Sequence, residues 1–400
     1  MIARCLSLIV LLAAAPASAQ RLPAPEWVRS VRITRPGTTV RSGPSTGASR
    51  RGTIQVGTRA PFLGRVMGEG CPGGEWIQIG PRAFVCETLV QFSPAAPAGE
   101  ALPRVEDGAL TPRAHAFVRT DGTWAYARPE DYFRDRWIES LGRGFGLAIV
   151  ERRSLGGVEM ARTLSNLWVP VGELRFARPS DFEGVSLEEG EALDAVAWVV
   201  RDRAPLRERP GGRIVERASR LVRVTIEEAR GDQLRTADGH WIHERHVARP
   251  RPAEAPEDLT DGERWIDVDT RAQVVTAYVG ERPVWATAVS TGRGATPTPP
   301  GSYRIWVKLA EDDMDDLERD DVSENYAIQA VPWVQYFHGS IGFHAAFWHD
   351  RFGQPRSHGC VNLAPRDARW LFDFTQPNLP PGWDAIIPGG EGRGTRVRVR

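Results

Sequence analysis

The chain has 400 residues, 41% apolar and 26% charged, a balance that excludes a disordered chain and, at roughly 150 residues per domain, predicts two to three domains. Its 51 basic residues cancel 51 acidic ones, so nothing supplies the basic field that nucleic acid or an anionic membrane surface rewards, and neither is expected as a partner. A single basic residue is lysine, Lys308.

The first element in chain order is the apolar run Leu6–Ala15 after Arg4, too short for the roughly 20 residues that span a bilayer. Pro16 and the small-x-small pattern Ala17-Ser18-Ala19 follow, so residues 1–19 read as a signal peptide. No later segment is long and apolar enough to span, which predicts a secreted or periplasmic protein. Cys5 leaves with the signal peptide, and Cys71, Cys86 and Cys360 remain, an odd number where thiols normally pair. Pro72–Val85, with its Gly73-Gly74 turn and alternating Trp76-Ile77-Gln78-Ile79, reads as a hairpin that brings Cys71 and Cys86 together as a disulfide. Cys360 is left as the free thiol.

Short alternating runs separated by Gly and Pro predict a small all-β barrel over residues 28–92. Val40-Arg41-Ser42-Gly43-Pro44-Ser45, Gly52-Thr53-Ile54 and Trp76-Ile77 in that segment resemble bacterial SH3-like domains. A Pro- and Ala-rich linker covers 93–112. Leu167-Trp168-Val169-Pro170-Val171 and His240-Trp241-Ile242-His243 are aligned with Trp76-Ile77 as a weak repeat, and Ala204–Pro210 echoes the Val40 segment. Two further SH3-like modules are expected, over 113–178, where the opening signature is missing, and over 194–249. Residues 250–262 form a second Pro-rich linker.

From Glu263 three strands are expected, Trp265–Asp269, Gln273–Val279 and Val284–Val289, in an antiparallel meander. Thr296–Gly301 is too Pro-rich for a central strand and precedes a strand at Tyr303–Val307. Pro365–Phe374 is the best helix, with Pro at its start and Ala368, Leu371 and Phe372 on one side. The protein should thus be mainly β with few helices. Residues 389–400 read as a basic tail beyond the last domain, 263–388.

His338, His344, His349 and His358 accompany Cys360 within a short stretch, half of the chain's eight His around its unpaired thiol. An imidazole that takes the thiol proton makes a thiolate able to attack carbonyls. His358, two residues before Cys360 and on the same face of an extended segment, and His344 are both candidates for the base. Gly359 removes a side chain beside the nucleophile, and the Gly359 and Cys360 N–H groups read as an oxyanion hole. His-x-Cys with nearby His also admits a zinc site, but neither Cys-x-x-Cys nor His-Glu-x-x-His is present, so no metal is expected.

Ser357-His358-Gly359-Cys360-Val361-Asn362, with Gly342-Phe343-His344 and Thr296-Pro297-Thr298-Pro299-Pro300-Gly301-Ser302-Tyr303 upstream, resembles the L,D-transpeptidase catalytic domain of the YkuD type. The resemblance implies a β-rich catalytic fold with Cys360 as nucleophile and His344 as general base, ahead of His338. Ser357, His358, Gly359 and Asn362 would support the site. Relatives usually carry Gly or Ser after the base, where this chain has Ala345, so a backbone carbonyl or Ser357 must orient the ring.

The implied reaction needs no cofactor and takes place at the cell wall. Cys360 attacks a peptidoglycan tetrapeptide stem, D-Ala leaves, and the thioester passes to an amine, giving 3-3 cross-links. Water as acceptor would make a carboxypeptidase or amidase, and a Lys on an envelope protein would make an anchoring enzyme. A non-catalytic, wall-binding SH3-like scaffold is the alternative from another class, and acylation of Cys360 by a carbapenem separates it from an enzyme. Only Lys308 and the N-terminal amine are expected as amines open to self-acylation.

Overall fold

Period-two alternation runs through most of this chain, and strands follow it. The computed structural model describes residues 20–315, 327–389 and 394–400. The expected signal peptide 1–19, with Cys5, lies outside the described residues. The chain divides into two units, up to Gly99 and from Glu100 to Arg400. The architecture is mainly β, with Pro365–Phe374 the single α-helix among the described residues. No described helix is long and apolar enough to cross a membrane.

In the first unit, strand Ser30–Ile33 pairs with both Arg59–Pro61 and Val90–Ser93. Glu75–Gly80 and Ala83–Cys86 form a hairpin. Val31, Val40, Ile54, Ile77 and Val85 alternate inward and are fully buried. A disulfide joins Cys71 to Cys86 across 15 residues, a loop whose closure is worth about 3 kcal/mol.

In the second unit, residues 114–176 and 196–248 each form strands around their own apolar cluster. Both segments end in a strand, a one-turn 3-10 helix and a strand: Trp168–Pro170, Val171–Glu173, Leu174–Phe176, and Trp241–His243, Glu244–His246, Val247–Ala248. The first unit ends the same way with Ala83–Cys86, Glu87–Leu89 and Val90–Ser93. The expected alignment of Trp76 with Trp168 and Trp241 is therefore corrected. Trp76 lies one strand earlier, in Glu75–Gly80, because its burial repeats and its place before the turn does not.

The C-terminal part consists of β1 (Arg264–Asp269), β2 (Val274–Val279), β3 (Arg282–Ala288), β4 (Gly301–Arg304), β5 (Val307–Asp315), β6 (Ala327–His338), β7 (Ile341–Ala345), β8 (Val361–Leu363), α1 (Pro365–Phe374), β9 (Trp383–Ile386) and β10 (Arg396–Val399). One sheet runs β3-β2-β1-β10-β4, its meander antiparallel as the spacing predicts, and a second runs β9-β5-β6-β7-β8. Ile266, Val275, Trp333, Phe343, Val361, Leu371 and Val397 meet in one core with α1. The strand expected over Tyr303–Val307 is split at Ile305-Trp306, and its halves join different sheets.

One expectation is overturned here. The basic tail is a strand: β10 pairs parallel to β1 and antiparallel to β4. Its alternation places Val397 and Val399 in the core, while Arg396 pairs with Asp258, and Arg398 and Arg400 reach Asp267 at 3.0 Å. Charge alone hid a period-two pattern. Residues 250–262 carry no strand or helix, and Ala253, Ala255 and Leu259 pack against the core that holds Trp265 and Tyr278.

Lys308, on β5, is also no free amine. It is fully buried and donates to Phe372 O at 2.6 Å and Thr375 O at 2.9 Å, closing the C-terminus of α1. Burial lowers its pKa to about 7.

Candidate functional site

The site is set by β7 and β8, adjacent parallel strands in which Phe343 pairs with Val361 and His344 with Asn362. Alternation sends Phe343, Ala345, Val361 and Leu363 into the core. It leaves His344, Cys360 and Asn362 facing a cavity of about 530 Å³.

The loop that leads into Cys360 is held by segment 290–298, which runs into the Thr- and Pro-rich stretch of the sequence motif. Ser290 and Asn362 exchange backbone hydrogen bonds at 3.0 and 2.8 Å. Thr291 O accepts from Arg356 N and Ser357 N, and Arg293 N donates to Ser357 O. Thr298 Oγ1 donates to Gly359 O at 2.7 Å while accepting Gly292 N–H at 3.0 Å. Gly359 has φ +130°, a conformation that side chains rarely adopt, and a Cβ there would press on Ile341 at 3.1 Å. Ser357 Oγ closes the loop, donating to Cys360 O at 2.5 Å and accepting Gly359 N–H at 3.1 Å. That last bond corrects the expected oxyanion pair: the Gly359 N–H is already used within the loop, which leaves the Cys360 N–H.

Cys360 is partly exposed as a residue, and its Sγ donates to Ser340 O at 3.6 Å. Burial of the sulfur raises the thiol pKa to about 11, against a smaller opposing pull from the Gly342 backbone. His344 is 3% exposed and stacks on Trp348 at 5.7 Å between ring centroids. Its Nδ1–H donates to Ala345 O at 3.2 Å. The backbone carbonyl thus supplies the orientation that Ala345 has no hydroxyl to give, and it leaves Nε2 as the basic nitrogen. Burial lowers the imidazole pKa to about 4. At neutral pH the pair is therefore thiol and neutral imidazole, and no hydrogen bond joins them among the described residues. Such a pair can give a thiolate only as the imidazole takes the thiol proton, not beforehand.

The remaining His separate by contact. His358 Nε2 accepts from the Arg293 guanidinium at 2.8 Å, which occupies the nitrogen a base would use. His338 is exposed at the end of β6, tilts on Tyr303 at 4.8 Å, and is not part of the cavity wall. His349 lies 3.1 Å from the Asn362 amide and accepts Arg351 N–H through Nδ1. It is the missed partner of Asn362, and its membership of the His cluster was the available signal. Among the described residues no group of three or more His, Cys, Asp or Glu is arranged to hold a metal ion.

Part of the wall comes from far upstream. Phe117 and Gly144, both in the segment 114–176, line the same cavity as Cys360, together with Asp313, Met314 and Ile328 of β5 and β6. That segment is fastened to the same strands. Arg113 makes a bidentate pair with Glu311 at 3.0 Å, His115 stacks on Phe347 at 3.8 Å, and Ala148 N donates to the Gln329 side chain at 3.2 Å. Nothing in the sequence pairs these positions.

Residues 263–399 match the family model for YkuD, the L,D-transpeptidase catalytic domain. The YciB protein of Bacillus subtilis (strain 168), whose name assigns it provisionally to the L,D-transpeptidases, is 26% identical over 153 residues, covering 35% of this chain and 72% of that protein. Among solved structures, a Cys-to-Ser variant of Enterococcus faecium L,D-transpeptidase is 22% identical with a TM-score of 0.27, covering 34% of this chain and 50% of that one. The L,D-transpeptidase from Mycobacterium smegmatis is 16% identical with a TM-score of 0.29, covering 64% of this chain and 99% of that one. This chain spans half the length of the Enterococcus protein.

Proposed function

We propose, from the YkuD-type catalytic domain at residues 263–399, that this chain is a cysteine-dependent peptidoglycan L,D-transpeptidase working outside the cytoplasm. The observation that carries the reading is that Cys360 and His344 face one cavity from adjacent strands, with the His344 proton fixed on Nδ1 by Ala345 O.

Cys360 Sγ attacks the carbonyl between the diaminoacid and the terminal D-Ala of a tetrapeptide stem. His344 Nε2 takes the thiol proton as the S–C bond forms, and the Cys360 N–H receives the developing oxyanion. The same proton passes to the leaving D-Ala amine as the C–N bond breaks. A diaminoacid amine on a neighbouring stem then attacks the thioester, His344 takes its proton, and the thiol is regenerated with a 3-3 cross-link made. The thioester conserves the peptide-bond energy, so no ATP is consumed. Phe117 and Gly144 bound the space in which one stem lies. The three segments sharing the strand, 3-10 turn and strand ending are read as SH3-like modules that hold the domain at the wall.

The test is mass spectrometry of muropeptides after incubating the protein with purified tetrapeptide stems. The expected product is a 3-3 dimer with released D-Ala. Tripeptides alone would assign water as acceptor, stems linked to protein would assign an anchoring enzyme, and unchanged stems would remove the enzymatic reading.

A further inference from the structure

A second cavity lies beside the same loop, away from Cys360. It is a cleft of about 640 Å³ beside the segment 196–248, walled by Arg201, Arg245, His246, Arg271 and Arg351, by one carboxylate, Asp202, and by Gly353-Gln354-Pro355. Those last residues lead directly into Ser357-His358-Gly359-Cys360.

Two guanidinium groups converge on one imidazole there. Arg201 Nη1 and Arg245 Nε both donate to His246 Nε2, at 2.9 and 3.3 Å. With Nε2 accepting twice, the His246 proton resides on Nδ1, which is itself buried and without a partner among the described residues. His246 is 4% exposed. The nearby carboxylates have other partners: Asp202 answers Arg351 within the cleft and also pairs with Arg220, Glu244 pairs with Arg251, and Asp232 with His243. No described carboxylate pairs with Arg201, Arg245 or Arg271. Arg201, Arg245 and Arg271 are exposed, and arginine does not shed its proton, so the cleft presents a fixed positive charge that an anion can answer.

We propose that this cleft binds an oxyanion and that the occupant is a carboxylate-bearing peptide. The paired forks supply the planar donors a carboxylate takes, and the cleft is far larger than a lone anion needs, which leaves room for the chain that carries it. In a peptidoglycan enzyme that chain is a second wall stem. This choice of peptide rests on the transpeptidase reading, whereas the anion site does not.

The protein is first treated with a carbapenem to fill the Cys360 cavity and is then titrated by calorimetry. Failure to acylate counts against the transpeptidase reading alone, and the titration then proceeds on unmodified protein. The probes are a tetrapeptide stem with free carboxylates, the same peptide fully amidated, and inorganic phosphate. The free-acid peptide should bind, and Arg201→Gln combined with Arg245→Gln should weaken it about tenfold or more. Arg271→Gln, at a side chain with no partner among the described residues, should weaken it as well. The amidated peptide should not bind. Equal affinity for the two peptides, or unchanged affinity in both variants, overturns the site. Binding of phosphate without the peptide overturns the proposed occupant.

Discussion

The Cys360 cavity and the His246 cleft flank one loop and treat charge in opposite ways. At the cavity wall, burial strips charge from the pair able to lose it: the Cys360 thiol rises to about 11 and His344 falls to about 4. In the cleft the charges belong to arginines, which cannot neutralise themselves, and the burden falls on His246, lowered to about 4 by burial and then by Arg201 and Arg245. The lesson is a division of labour. On the reading proposed above, the proton-transfer pair is kept neutral until substrate arrives, while the proposed recognition site keeps a fixed charge open to its ligand.

The comparison breaks most visibly at the base. His344→Ala should lower kcat/KM by about 100- to 10,000-fold, whereas His338→Ala, outside the cavity, should change it little. Equal losses would mean that the cavity does not select the base. The pH profile sharpens the same point. His344 titrates near 4 in the folded protein, so it remains a base down to about pH 5, where an unperturbed imidazole would be mostly protonated, a loss of about 30-fold. The acid limb of kcat/KM should therefore fall near 4. A limb near 6.5 would contradict the neutral dyad. Stability runs with the same sign. Unfolded His binds its proton below about 6.5, but buried His115, His344 and His349 do not until about 4. Their contribution to stability is therefore present above pH 6.5 and is lost as pH falls toward 4.

Thr298→Val should cost about tenfold in kcat, because it removes the hydroxyl that joins Gly359 O to Gly292 N and so loosens the nucleophile loop. Full activity in this variant would show that the loop is set without segment 290–298. The smallest effect is expected from Phe117→Ala, a rise of a few-fold in KM for the tetrapeptide with kcat held. A fall in kcat with KM unchanged would mean that the upstream segment supports the fold and not substrate.

What could be read from the sequence was local. The meander and helix Pro365–Phe374 follow from spacing within a dozen residues, and Cys360 from being the odd thiol among His. The Arg-Val alternation of 396–400 was equally local but was masked by its charge. The cavity wall at Phe117 and Gly144, and the cleft at Arg201 and Arg245, were illegible because each depends on side chains brought together from distant segments. The Gly359 N–H was assigned to an oxyanion because Ser357's two hydrogen bonds depend on the conformation of the loop and not on its composition.

Acylation of Cys360 is read out by intact-mass spectrometry after rapid acid quenching of the protein with a tetrapeptide donor. An adduct equal to the stem without its D-Ala is expected, located on Cys360 and absent from Cys360→Ala. Product formation by Cys360→Ala, or an adduct that survives in it, would rule out Cys360 as the nucleophile.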